Sequence, residues 1–107
     1  MTQGIQPSWT LFQSRLSGVQ RLARECRVAR LELLGSVARR EQAHDYGFLV
    51  SFLLLPPLEH GRAYFRLWES LQDLLAAPVD LVEAEAASPT FLTATAPERS
   101  PVYAYDA

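Results

Sequence analysis

Leu33-Leu34-Gly35-Ser36-Val37-Ala38-Arg39 opens a pattern that continues with Asp45-Tyr46-Gly47-Phe48-Leu49-Val50 and closes with Val79-Asp80-Leu81-Val82. In the first stretch an apolar run ends at Gly35, where the missing side chain lets a ligand approach the backbone. Ser36 then adds a hydroxyl and an N–H at the start of a short helix-compatible piece, Val37 to Gln42. The first N–H groups of a helix have no partner within it and favour phosphate. A Gly-Ser pair alone is weak, because an ordinary strand-to-helix turn uses the same residues. The later stretches add acids, Asp45 before one apolar run and Asp80 inside another. Hard oxygen ligands of this kind suit Mg2+ carrying a nucleoside triphosphate. Asp also starts many turns, so Asp45 by itself has a purely local explanation.

Outward from these stretches, spacing predicts the elements. Leu11, Phe12, Leu16, Val19, Leu22, Ala23 and Cys26 recur at helical intervals with Arg15, Arg21 and Arg24 opposite. A helix capped by Ser8 is therefore expected from about Thr10 to Cys26, weakened at Gly18 by about 1 kcal/mol relative to Ala. From Val28 to Leu34, Ala29, Leu31 and Leu33 alternate with Arg30 and Glu32, the pattern of a half-buried strand. Gly47 to Leu54 is apolar on both faces, which suits the middle of a covered sheet. After Pro56-Pro57, the segment Leu58 to Ala76 carries a broad apolar stripe in which Tyr64, Phe65 and Trp68 read as core packing. Pro78 introduces a short strand, Val79 to Val82. Ser88-Pro89 has the form of a helix start, Pro97 limits that helix, and Val102 to Tyr105 suits a last edge strand. The order predicts an α/β (α+β) fold, a small mixed β-sheet covered by helices, in one domain over residues 1–107.

Composition excludes several classes of function. A chain of 107 residues has room for one domain with a modest core. Its net charge of -2 gives no broad attraction for nucleic acid or an anionic membrane. There is no Lys, so neither a lysine nucleophile nor a P-loop lysine is available. Cys26 is the one cysteine, which rules out an internal disulfide and a cysteine-based zinc cluster; helical spacing puts it on the apolar side. The longest apolar run, Phe48 to Leu55, falls far short of the roughly 20 residues a membrane-spanning helix needs. No basic stretch leads into an apolar core at the start, and a cytoplasmic location is expected. His44 reads as a loop residue and His60 as part of a helix start. Trp9, Tyr103 and Tyr105 read as partly exposed, with a place in an interface.

Taken together, the three stretches resemble the minimal nucleotidyltransferase (MNT) family, relatives of the DNA polymerase β superfamily. There a strand ends in Gly-Ser, continuing in the style of Gly-Ser-x-Ala-Arg-Gly. A Ser-Asp-x-Asp motif follows, and a third acid lies on a later strand. The resemblance spans Arg21 to about Val82 and implies the nucleotidyltransferase fold. It implies nucleotide binding by Gly35, Ser36 and Arg39, and metal binding by Asp45 and Asp80. Asp80 matches the acid implicated in activating the attacking hydroxyl, hence a catalytic role. Mg2+ would be the cofactor and ATP the substrate.

The departures are as informative. Gly47 stands where the second acid of the pair belongs, Arg40 where a glycine usually closes the Gly-Ser turn, and His44 where a serine precedes the first Asp. Alternation would put residues 45 and 47 on one face of a strand, so one of three carboxylates is missing. In two-metal chemistry the ions hold both the attacking and the leaving oxygen. A loss of about 4 kcal/mol there means roughly a thousandfold in rate. Glu41 lies close in sequence but falls on the other side of the loop.

Two functions follow from the resemblance. The first is an inactive, antitoxin-like partner of a HEPN-type protein, or a homo-oligomer, since MNT proteins are commonly encoded with HEPN RNases. The second is an active Mg-dependent enzyme moving AMP from ATP to a protein hydroxyl. The missing acid at Gly47 favours the first.

Overall fold

A computed structural model describes residues 6–106, and it puts the two most apolar stretches at the centre of a four-stranded sheet. These are β1 (Val28–Leu34) and β2 (Tyr46–Phe52), flanked by β3 (Val79–Glu83) and β4 (Ser100–Ala104) in the order β3-β2-β1-β4. β1 pairs antiparallel with β2 and with β4, while β2 and β3 run parallel. The sheet is therefore mixed, as the sequence predicts. A parallel neighbour needs a crossover, and α4 (Pro57–Leu75) provides it between β2 and β3.

One face of the sheet holds the core. Leu31 and Leu33 of β1 and Tyr46, Phe48 and Val50 of β2 are fully buried there. They pack with Val19 and Ala23 of α2 (Leu16–Glu25) and with Leu67, Leu71 and Leu75 of α4. Gly18 has a specific reason to lack a side chain, since a Cβ there would lie 2.9 Å from Leu74 Cδ2. The close approach of α2 to α4 accounts for the glycine that local propensity disfavours.

The single helix expected from Thr10 to Cys26 is in fact two, α1 (Trp9–Ser14) and α2, with Arg15 between them. Arg15 N donates to Phe12 O at 2.9 Å and Val19 N resumes the ladder at Arg15 O. The break sets Phe12 6.0 Å, centroid to centroid, from both Tyr46 and Phe48. Those contacts are long-range, so periodicity along the helix carries no trace of them.

The opposite face carries three transverse rows. Leu34, Gly47 and Asp80 form the first, Glu32, Leu49 and Val82 the second, Arg30 and Ser51 the third. This face is where β1 departs from the half-buried reading. Glu32 is only 7% exposed, because Leu92 of α5 (Pro89–Thr95) and Arg99 close over it. Ser88 caps α5 through its side chain to Phe91 N, 3.1 Å, and the turn η1 (Ala96–Glu98) follows at Pro97.

The outer edge of β3 is secured by α4. Tyr64 donates its hydroxyl to Leu81 O at 2.6 Å, Trp68 donates Nε1 to Val79 O at 2.9 Å, and Gln72 Oε1 accepts from Val79 N at 3.4 Å. Unpaired edge groups invite a foreign strand, and here α4 side chains take up three of them. Tyr64 and Trp68 are thus half-buried tethers as well as packing. Phe65, read as core, is 59% exposed. It shares the outer side of α4 with the exposed Leu58, seven residues earlier. No helix among the described residues is long and apolar enough to cross a membrane.

Candidate functional site

The Gly-Ser turn forms where β1 hands over to the short helix α3 (Gly35–Ala38). Gly35 has φ +75°, a conformation that a Cβ makes costly, which is why the strand ends in glycine. Arg39 N donates to Gly35 O and Glu41 N to Ser36 O, at 3.1 and 2.8 Å, closing the turn. Arg40 has φ +60°, so the position where the MNT pattern carries glycine does adopt the glycine-favouring conformation. The guanidinium of Arg40 lies 3.5 Å from the centroid of the Trp9 ring and donates to Ala38 O. Cation–π stacking of this kind contributes about 0.5–2 kcal/mol, which offsets part of the backbone cost. Trp9, read as partly exposed, is half-buried under that cation.

The turn's donors already hold an acid. Glu98, on η1, accepts from Gly35 N at 3.3 Å through Oε1 and from Arg39 Nη1 at 2.9 Å through Oε2. Arg39 also donates to Glu41 Oε1 at 3.1 Å and to Ser36 Oγ at 3.3 Å. The carboxylates of Glu98 and then Glu41 raise the guanidinium pKa further. Gly35, Ser36 and Arg39 therefore lie together at one turn, with Glu98 seated among them.

The register places Gly47 between Leu34 on one side and Asp80 on the other. Parallel neighbours in register point the same way, so a side chain at position 47 would stand beside that of Asp80. Asp80 is exposed on β3, with Gly47 of β2 between it and the turn end of β1. Asp45 is exposed too, but it lies in the bend just before β2, whose ladder begins at Tyr46. Asp45 thus stands one residue outside the paired segment that contains Gly47. Among the described residues, neither Asp45 nor Asp80 has an ion-pair partner, and no three of His, Cys, Asp and Glu come together as a metal site would need.

Other polar residues fall elsewhere. His44 is exposed in the bend. His60 does more than start a helix: its Nε2 lies 3.0 Å from Glu83 Oε2, and its ring sits 5.1 Å from that of Phe52. Cys26 is buried, and burial raises its thiol pKa, with Arg66 lowering it and Glu25 raising it more weakly. The sequence offered no signal for Glu98, Arg99 or buried Glu32. Their partners lie about sixty residues away in the chain.

No protein-family model and no curated protein matches the chain. Solved structures do. A chain classed as a minimal nucleotidyltransferase is 27% identical, with a TM-score of 0.76 over 89% of this chain and 96% of that one. A tri-AMPylated Shewanella oneidensis HEPN toxin in complex with its MNT antitoxin gives 20% identity and a TM-score of 0.64, over 87% and 72%. A toxin–antitoxin structure with AMP-PNP gives 19% and 0.63, over 85% and 74%. The chain thus has the fold of the minimal nucleotidyltransferases, and its structural neighbours are MNT proteins and toxin–antitoxin pairs that contain them.

Proposed function

We propose that this chain is a non-catalytic nucleotidyltransferase-fold domain that acts as the antitoxin-like partner of a HEPN-type protein. One observation supports the reading most: Gly47 stands in register beside Asp80, and the resemblance to the MNT pattern would put a second metal-binding acid at that position. Asp80, and Asp45 outside the ladder, offer two exposed carboxylates without the shared third. Such a donor set does not fit a pair of divalent cations, which need several oxygen ligands each. The Glu98 carboxylate held by Gly35 and Arg39 points the same way, because an anion already takes the donors that a phosphate would use. Loss of chemistry leaves binding to a protein partner as the function that the neighbouring toxin–antitoxin complexes support. The exposed Leu58 and Phe65, on one side of α4, suit a protein contact.

A second reading keeps the enzyme. Gly35, Ser36 and Arg39 do converge at a turn of the family's form, and one neighbouring toxin is AMPylated. In that reading Asp45 and Asp80 hold Mg2+, Asp80 is catalytic, and AMP passes from ATP to a partner's hydroxyl. Calorimetric titration with ATP, with and without Mg2+, separates the two, with Asp45→Asn as control. No metal-dependent heat is expected. Mg2+-dependent binding that disappears in Asp45→Asn would establish the enzyme instead.

A further inference from the structure

The outer side of α4 carries a shallow groove of about 580 Å3 that involves no residue of the Gly-Ser turn. Leu58, Gly61, Arg62, Phe65, Arg66 and Glu69 line it. Leu58, Arg62, Phe65 and Glu69 follow one another at steps of three and four residues, so they form one stripe along the helix.

Nothing within the chain completes this stripe. Leu58 and Phe65 are large exposed apolar side chains. Arg62 and Glu69 are opposite charges on either side of Phe65, and among the described residues neither has an ion-pair partner. They do not meet each other, because the helix between them rises by about 10.5 Å. Gly61 adds a second observation. Glycine is disfavoured within a helix, yet a Cβ at this position would meet nothing within 4 Å among the described residues. Leu74 accounts for Gly18, whereas only a backbone lying close on the outside would account for Gly61.

The order of charges selects the occupant. Along the stripe it runs apolar, cation, apolar, anion. Against a reversed copy of itself, Arg62 of one helix stands opposite Glu69 of the other, and the reciprocal pair forms at the same time. A two-fold interface has this property, since each residue meets a partner that meets it in return. In this register Phe65 lies beside the axis, against Phe65 and Arg66 of the second copy. The 19-residue helices then overlap along nearly their whole length, with Leu58 over the last turn of the other. A parallel pair would instead set Arg62 against Arg62 and Glu69 against Glu69, like charges that repel.

We propose that α4 is the contact of a two-fold dimer of this chain, its helices antiparallel and Arg62 of each copy paired with Glu69 of the other. The contact stands whether or not the chain is the antitoxin-like partner of a HEPN-type protein. One helix pair lies at the small end of specific interfaces, so the dimer should have a dissociation constant of about 10–100 µM.

Sedimentation velocity of the full chain from about 2 to 500 µM, which brackets that range, is the test. A monomer–dimer equilibrium is expected. Arg62→Glu and Glu69→Arg each bring like charges face to face at two symmetric places, and each should weaken the dimer at least about tenfold. The double variant Arg62→Glu/Glu69→Arg restores opposite charges and should recover the original affinity, a rescue that misfolding cannot produce. A chain that stays monomeric throughout overturns the dimer and leaves the groove to a different protein. A dimer insensitive to both single reversals, or a double variant as weak as the single ones, overturns the antiparallel pairing.

Discussion

Gly47→Asp should restore a cation site, and its size follows from the sheet. A Cβ at position 47 would meet Leu34 O at 3.5 Å and Leu34 Cβ at 3.7 Å, ordinary contact distances, so the backbone there accommodates a side chain's first carbon. The aspartate carboxylate would stand beside Asp80 on the neighbouring strand, about 5 Å away, since strands lie about 4.8 Å apart. A carboxylate 4 Å from a unit charge contributes about 1 kcal/mol in water and about 4 kcal/mol at an effective dielectric of 20. Asp80 is exposed, so the lower part of that range applies, about 1–3 kcal/mol. Affinity for Mg2+ or Mn2+ should rise roughly 5- to 150-fold at 1.4 kcal/mol per tenfold. Without metal, the two like charges should cost about 1 kcal/mol and lower Tm; divalent cation should recover it through binding to the native state. Calorimetry with Mn2+ and thermal unfolding with and without Mg2+ read both effects. Adding Asp80→Asn should cancel the gain. Unchanged cation affinity in Gly47→Asp, or a gain that survives Asp80→Asn, would refute the placement of the site on this row.

Four further outcomes are expected. Gly35→Ala meets no atom within 4 Å, so its cost is the left-handed backbone, about 1–2 kcal/mol in urea unfolding. Glu98→Ala releases Gly35 N–H and the Arg39 guanidinium, and binding of ATP should tighten several-fold by calorimetry; unchanged affinity would mean that these donors do not meet phosphate. Leu71, fully buried between α4 and the sheet, should cost about 2–5 kcal/mol when replaced by Ala, measured as a shift in the denaturant midpoint. Alkaline pH should destabilise the fold: burial raises the Cys26 thiol above 9.0 and the Tyr46 and Tyr64 phenols above 10.0. The folded state then holds more protons than the unfolded one, so stability is full below about pH 9 and falls as pH rises through the folded values. A stability profile flat up to pH 11 would contradict this; roughly that range brackets the reference values.

The elements were legible because local rules dominate where they point one way. Alternation in Val28–Leu34, the two-faced apolar run of β2, the proline breaks around α4 and the Ser88-Pro89 cap each express a one-dimensional preference that the sheet and helices then keep. Gly35 was legible as a turn for the same reason, its left-handed backbone being a property of one residue. Phe65 lies on the apolar stripe that helical spacing marks, yet the sheet covers a narrower strip of α4 and leaves it exposed. The break at Arg15 and the glycine at position 18 answer to Phe48 and Leu74, far along the chain.

The strands, the long helix α4 and the Gly-Ser turn could be read from the chain, since each follows from residues near one another in it. What stands beside what came from the folded molecule. It put Gly47 in register with Asp80, brought Glu98 to Gly35 and Arg39, and closed Arg99 over Glu32. Charges act through space over a few ångströms, and the folded sheet, not the chain order, sets which of them come that close.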